Sequence, residues 1–587
     1  MKRNLARLTS HSYDLLVIGG GIYGACLAWD ASLRGLSVAL IERSDFASAT
    51  SANSLKTIHG GLRYLQHADF PRMRESIRER STLMRIAPHL VHPLPVVVPT
   101  YGHGLKGREV MRVALGVNDG VSLDRNWKLP DPQKQIPNGR VISTAECLQQ
   151  LPGIATAGLT GGAIFYDAQV YNSERLIIAM LHSAAESGAE VANYVEATEF
   201  LQTGDRIVGV RAIDHLSQET LEIKANFVIN TVGPWSKGFM QRWSQPSAIA
   251  GGLTKAMNFV TRPLFQDYAV GISAATTYED KDAVLKKGSR FLFIAPWRNR
   301  SLIGTWYAPF AGHPDQFAIT ETDIQTFLSE INQAYPAANL KRADIDFVHG
   351  GLLPSTGVAP SGDVQLAKHY TLYDHRQDGV QGMLSVTGVK YTTARDVAEK
   401  TVDWLGRTIG KKLPRSTSSV APVWGGNLQN FAGFLQDAIQ QYPQLSQTVI
   451  QQLVYNYGSA YPQVLRCQAQ LSESTPTNRT DKTRITDLEV TKAEVLHSIR
   501  SEMAQHLSDV VFRRTELGSA GFPGQDCLQM CAEVMGTELG WSADTQAEEL
   551  AAVKHTFAWM QPSLSNPTQP ETSQVDRIPS STLGASP

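Results

Sequence analysis

The sequence predicts an α/β protein: a Rossmann-like nucleotide-binding unit opens the chain, antiparallel strands interrupt it, and an all-α region closes it. Three observations carry this reading. A buried-strand run, a glycine turn, a helical run and a second strand ending in an acid follow one another over residues 14–42. In the middle of the chain, short apolar runs bounded by Gly and Pro read as strands, with Arg290 to Trp297 and Ser301 to Thr305 forming a hairpin around Arg298-Asn299-Arg300. From Asn427 to Phe557 the apolar spacing turns helical, as in Leu435, Ile439, Ile450, Leu453 and Leu496, Ile499, Met503, Leu507.

The first element, Asp14-Leu15-Leu16-Val17-Ile18, is a continuous apolar run, as expected of a parallel strand covered on both faces. It enters Gly19-Gly20-Gly21-Ile22-Tyr23-Gly24, a G-x-G-x-x-G turn. Gly19 permits the tight turn, Gly21 lets the backbone approach a pyrophosphate, and Gly24 lets helix and strand pack closely. The helix from Ala25 to Leu33 then presents free N–H groups to the phosphates. The second strand, Val38 to Ile41, ends in Glu42, where a carboxylate accepts a ribose hydroxyl and opposes a 2′-phosphate. The nucleotide is therefore FAD or NAD.

Small and hydroxyl-bearing residues follow from Arg43 to Ser54, suited to lie along a diphosphate and ribityl chain, and lead into Lys56-Thr57-Ile58-His59-Gly60-Gly61-Leu62-Arg63-Tyr64-Leu65. Further on come Asn230-Thr231-Val232-Gly233-Pro234-Trp235, Gly388-Val389-Lys390-Tyr391-Thr392-Thr393-Ala394-Arg395 and Leu507-Ser508-Asp509-Val510-Val511-Phe512-Arg513-Arg514-Thr515. On these four segments, in this order, the chain resembles the FAD-dependent glycerol-3-phosphate dehydrogenase/oxidase family of the D-amino-acid-oxidase-like flavoproteins, over roughly residues 12 to 560.

The resemblance implies an FAD-binding lobe (12–95, 165–245, 345–412) interleaved with an antiparallel-sheet substrate lobe (96–164, 246–344). A C-terminal helical domain follows at 420–560, and a disordered tail at 561–587. It implies FAD held by Gly19, Gly21, Gly24, Glu42, Arg43, Thr50, Ser51, Ser54, Val195, Gly233, Gly388, Lys390, Tyr391 and Thr392. It also implies oxidation of sn-glycerol 3-phosphate to dihydroxyacetone phosphate, with hydride passed to the flavin. No second G-x-G-x-x-G follows a strand, so the expected electron acceptor is quinone, oxygen or a carrier protein rather than NAD(P).

Such a reaction needs a base for the hydroxyl proton and cationic groups for the phosphate. Arg63, Tyr64 and Lys390 are the expected substrate-side residues, and the base is open among His349, His59, Tyr64 and Tyr307. Three positions depart from the family pattern. Leu353 stands where a second phosphate-holding arginine is expected, Asn258 where a histidine is expected, and Tyr307 closes an altered Gly304-Thr305-Trp306-Tyr307 turn. Losing one arginine from a dianion site costs about 2–5 kcal/mol unless another cation, such as Lys368, compensates. The alternatives are a flavoenzyme for a less charged polyol, hydroxy acid or amine, and a non-catalytic flavin-binding regulator.

A net charge of −1 offers nothing to nucleic acid. Five scattered cysteines suit a reducing, cytoplasmic setting, and Cys527 and Cys531 read as one face of a helix packed in a core. No export signal opens the chain, and no apolar stretch approaches a membrane span. Basic and apolar residues alternate over 72–86 and 105–115. They suit either peripheral contact with the cytoplasmic face of the inner membrane or an ordinary charged helix face. No metal site is expected.

Overall fold

The computed structural model describes residues 1–103, 107–241, 251–279, 287–358, 364–474 and 487–560. The expected tail at 561–587, and Lys106 of the second basic stretch, lie outside the described residues.

Six strands form the nucleotide-side sheet, in the order Thr371–Asp374, Met383–Thr387, Val228–Asn230, Leu15–Ile18, Val38–Ile41, Glu190–Ala192. All neighbours pair in parallel except the edge pair Thr371–Asp374 and Met383–Thr387. The first strand shows why its residues are apolar without alternation. Leu15 and Val17 pack with the helices Ile22–Leu33, Ser173–Glu186 and Ala394–Thr408. Leu16 and Ile18 face the opposite way, against Val210 and Ile223 of a small four-stranded sheet. Each residue thus has a core to enter, whichever face it takes.

The larger sheet has ten strands and is mainly antiparallel. It takes in Thr57–Ile58, Val91–Tyr101, Leu159–Val170, Gly252–Thr261, Ala269–Glu279, Lys287–Trp297, Arg300–Phe310 and Ile345–Val358. The two sheets draw their strands alternately from the chain, so the two lobes are interleaved. The expected hairpin forms with Arg298 and Asn299 as its two turn residues, at φ +48° and +57°. Positive φ at both central positions matches the right-handed twist of the flanking strands.

The C-terminal region is helical, with Phe431–Gln441, Gln447–Tyr457, Tyr461–Ser474, Asp487–Glu502, Gln525–Leu539 and Ala543–Met560. The Ser-, Thr- and Pro-rich stretch from the 470s to Lys482 reads in sequence as a loop; its residues up to Ser474 are helical, and residues 475–482 lie outside the described residues. Cys527 and Cys531 both sit on Gln525–Leu539 and pack into the apolar core there.

Buried ion pairs tie this region to the nucleotide lobe. Arg514 makes two bonds, of 2.6 and 2.7 Å, to Asp45, three residues beyond Glu42. Arg513 also bonds Asp45, and Arg175 meets Glu502 at 2.6 Å. These two arginines of the third distant motif are thus spent on the domain junction. Arg395, which closes the Gly388 motif, is likewise structural, with two 2.7 Å bonds to Glu79 of the helix Phe70–Ile86.

That helix is the first basic stretch. Its arginines have internal partners: Arg74 with Asp124, Arg78 with Asp396, Arg80 with the Tyr166 carbonyl, Arg85 with the Ser419 carbonyl. It is a core helix with a charge-paired face. Among the described residues no helix is long and apolar enough to cross a membrane.

Candidate functional site

The carboxyl ends of the parallel strands open into a cleft. Its walls include Gly19, Gly21, Glu42, Arg43, Thr50, Ser51, Ser54, Val195, Gly233, Gly388, Lys390 and Tyr391. Gly24 and Thr392 stand behind this lining. A Cβ on Gly24 would fall 1.9 Å from the Gly19 carbonyl oxygen, so this glycine serves the packing of helix on turn. Thr392 is buried at the start of the turn into Ala394–Thr408.

At one end of the cleft the helix Ile22–Leu33 starts from Gly21, which has no side chain to cap it. The Ile22 N–H instead donates to the Ser51 hydroxyl at 3.1 Å. Glu42 accepts from the N–H groups of Gly20 (2.7 Å) and Ser44 (2.9 Å). Burial raises the Glu42 carboxyl above its ordinary pKa, and those two N–H bonds act against the rise. A helix N-terminus open to the cleft, with a carboxylate beside it, fits the phosphates and ribose of a dinucleotide.

Arg43 lies 4.5 Å from the Trp235 ring and bonds Asp315 at 2.8 Å; the Trp235 indole N–H donates to the same carboxylate at 2.6 Å. Asp315 reaches the cleft from the loop after Arg300–Phe310, and no local pattern in the sequence marks it.

Of the expected substrate-side residues only Lys390 lines the cleft; Tyr64, Arg63 and His59 lie beyond it, outside the lining. The Lys390 ammonium lies 4.3 Å from the centre of the Tyr64 ring, and the Arg72 guanidinium lies 4.6 Å from the same ring. Tyr64 and Arg63 belong to the short helix Leu62–His67, with the Arg63 side chain exposed. His59 stands just before the Gly60-Gly61 turn that launches this helix.

His59 was one of four open choices for the base, and the structure supplies it a partner. Its Nδ1 lies 2.9 Å from Asp167 Oδ2, and Asp167 also accepts the Gly60 N–H at 2.6 Å. Burial opposes the charge on Asp167, yet the bond and charge of His59, the Arg80 guanidinium and the Gly60 N–H together hold its carboxyl below the ordinary range. The His59 ring is 44% exposed while Asp167 is 4% exposed, so the imidazole is anchored from the protein side and open on the other. Asp167 was not anticipated. Its signal lies only in strand pairing: Ile58 pairs with Ala168, which sets the next residue, His59, against Asp167.

His349 lies elsewhere. Like His59 it is outside the cleft lining, but it is only 1% exposed, packed against Phe347 and Trp297 near Arg298 and Lys56, with Nδ1 3.2 Å from Asn53 Oδ1. Burial and the Lys56 charge push its pKa well below the ordinary value. It pairs in register with Asn258, which accepts from the Thr305 hydroxyl at 2.8 Å and is itself buried. Two of the expected departures, Asn258 and the Thr305 turn, thus form one internal polar cluster. Leu353 does line the cleft. Tyr307 and Lys368 are half-buried and are not part of the cleft lining. Lys56, in the middle of its motif, is fully buried and bonds Glu174 at 3.0 Å.

Residues 14–395 match the family described as FAD dependent oxidoreductase, and residues 416–546 match the C-terminal domain of alpha-glycerophosphate oxidase. The chain belongs to the FAD-dependent oxidoreductase family. A glycerol-3-phosphate dehydrogenase of Synechocystis sp. is 33% identical to this oxidoreductase over 557 residues, covering 92% of this chain and 96% of the relative. The mitochondrial glycerol-3-phosphate dehydrogenase of Homo sapiens is 28% identical, covering 92% of this chain and 72% of the relative. In fold the oxidoreductase matches a crystal structure of the Bacillus halodurans glycerol-3-phosphate dehydrogenase complexed with FAD. The TM-score is 0.74 at 21% identity, with 97% and 98% of the two chains covered. FAD is the cofactor that the family and the cleft both call for.

Proposed function

We propose that this oxidoreductase oxidises sn-glycerol 3-phosphate to dihydroxyacetone phosphate. The observation that carries the reading is the His59–Asp167 pair beside the turn that bears Arg63 and Tyr64, with Tyr64 in contact with Lys390 of the cleft. The near full-length relatives that bear the glycerol-3-phosphate dehydrogenase name support the choice of substrate.

FAD supplies a two-electron acceptor that takes a hydride. The protein's own groups do the rest. Asp167 accepts the Nδ1–H of His59, which leaves the Nε2 lone pair to receive the substrate hydroxyl proton. Lys390 places positive charge at the flavin end of the cleft, where it favours negative charge on the reduced ring and orients the substrate oxygen. Arg63 and Arg72 stand on the same side and suit the phosphate through charge-assisted bonds. Gly19, Gly21, Glu42, Ser51 and their neighbours hold the dinucleotide, and the chain divides into the two interleaved lobes the resemblance implies, with Val91–Tyr101 and Leu159–Val170 crossing the expected boundaries and Ile345–Val358 belonging to the larger sheet.

Leu353 favours a second reading, because it puts an apolar side chain in the cleft wall where a cation was expected. On that reading the substrate is a less charged polyol, hydroxy acid or amine. Anaerobic addition of substrate to the holoenzyme separates the two. Rapid loss of flavin colour with glycerol 3-phosphate but not glycerol supports the first reading; loss only with a polyol, hydroxy acid or amine overturns it.

Quinone is the proposed acceptor, reached from a bilayer surface. The helix Arg108–Val121 and the turn after it expose Val110, Val113, Val117, Leu123 and Trp127 together with Arg112, with Arg108 half-buried beside them. Apolar residues flanked by basic ones suit the surface of an anionic membrane.

A further inference from the structure

The role proposed for Lys390 requires its turn to be held still, and one side chain does this from across the cleft. Tyr23 is the second residue of the helix Ile22–Leu33, at a variable position of the glycine fingerprint. Its hydroxyl donates to the Lys390 carbonyl oxygen at 2.7 Å. It accepts from the N–H groups of Val389 and Lys390, each at 3.2 Å. One donor and two acceptor sites are what a phenol offers, and all three are directed at this turn, which the Thr393 side chain joins from its far end. The ring is fitted as closely: a Cβ on Gly388 would fall 2.0 Å from two of its carbons. Burial raises the phenol above its ordinary pKa, which keeps the donor proton in place.

We propose that Tyr23 is a positioning residue that locks the Gly388–Lys390 turn and thereby sets the Lys390 ammonium against Tyr64 at the flavin end of the cleft. The inference rests on the reading of Lys390 given above. Its physical content is a mechanical link. The helix whose N-terminus faces the dinucleotide phosphates also clamps the backbone that carries the charge at the far end. The two halves of the cofactor site are thereby held in one frame. Without the hydroxyl, two N–H groups and a carbonyl of the turn lose their partner, and the lysine is released to spread over several rotamers. An assignment of Tyr23 to ordinary core packing would leave the ring sufficient and the hydroxyl dispensable.

Sulfite affinity of the oxidised holoenzyme tests this without turnover. Sulfite adds reversibly to oxidised flavin with loss of visible absorbance, and positive charge beside the ring strengthens the adduct. Tyr23→Phe keeps the ring and removes only the hydroxyl. It is expected to weaken sulfite binding by about tenfold, the scale of a lost buried hydrogen-bond set. Lys390→Met is expected to weaken it at least as much, and adding Tyr23→Phe to Lys390→Met is expected to change it no further. An unchanged affinity in Tyr23→Phe, or an equal loss in the Lys390→Met background, overturns the positioning role while leaving the lysine's role intact. If Lys390→Met itself binds sulfite as the parent enzyme does, the reading of Lys390 fails, and this inference with it.

Discussion

At the scale of single residues, a buried carboxylate turns an exposed histidine into a directed one. His59 offers one ring nitrogen to Asp167 and leaves the other open, and Asp167 is held ionised by three neighbours. Asp167→Asn reverses the preference for the Nδ1–H tautomer while keeping the shape. We expect the rate of flavin reduction by glycerol 3-phosphate to fall by about 10²–10⁴-fold, with FAD still bound, when followed by anaerobic stopped-flow absorbance. His349→Gln is expected to change that rate far less, because the residue is buried away from the cleft wall. Comparable losses in the two variants would return the choice of base to His349.

At the scale of elements, two helices that read alike in sequence part company. Phe70–Ile86 pairs its arginines with Asp124, Asp396 and backbone carbonyls, whereas Arg108–Val121 leaves three valines exposed. Replacing Val113 and Trp127 by Asp and Ser is expected to reduce sedimentation with anionic vesicles several-fold and leave glycerol-3-phosphate oxidation with a soluble acceptor unaltered. Equal sedimentation of the two forms would remove this face from consideration.

A second element carries a pH dependence. On the helix Asp487–Glu502, burial and the nearby Glu516 push Glu494 up to about 8, against roughly 4.3 in an unfolded chain. The fold therefore holds a proton that the unfolded chain releases between those values. The group's contribution to stability is full below the lower value and is lost as pH rises through the upper one. Glu494→Gln should accordingly raise the melting temperature at pH 9 relative to the parent and change it little at pH 5.

At the scale of the whole molecule, buried charge pairs join the C-terminal domain to the nucleotide lobe. Asp45 follows the ribose-side acid by three residues and is gripped by Arg513 and Arg514 of the C-terminal domain. Those guanidinium groups outweigh burial and bring its carboxyl down to about 2, so the junction stays charged across the neutral range. Arg514→Ala leaves that carboxylate buried with half its partners. A loss of about 3–5 kcal/mol follows from breaking such a pair. Urea unfolding followed together with the fluorescence of released FAD should show both transitions moving to lower denaturant. Release of FAD at the parent's urea concentration would mean that the junction does not brace the cofactor loop.

Much of the nucleotide site was legible in the sequence because it is local. A strand, three glycines, a helix and an acid lie within thirty residues, and each meets its partner through short-range backbone geometry. The later glycine turns and the Lys390 segment were legible only as motifs resembling a family, without their contacts. Tertiary structure alone decided the long-range pairings: His59 with Asp167 through the register of Ile58 on Ala168, Arg43 with Asp315 across the cleft, Asp45 with Arg514 across a domain junction. It also decided that His349 packs in a core and that the arginines of one basic helix pair within the chain. Periodicity records which face of an element is buried, but which residue of a distant element lies opposite depends on register and lobe packing, and these are properties of the assembled chain.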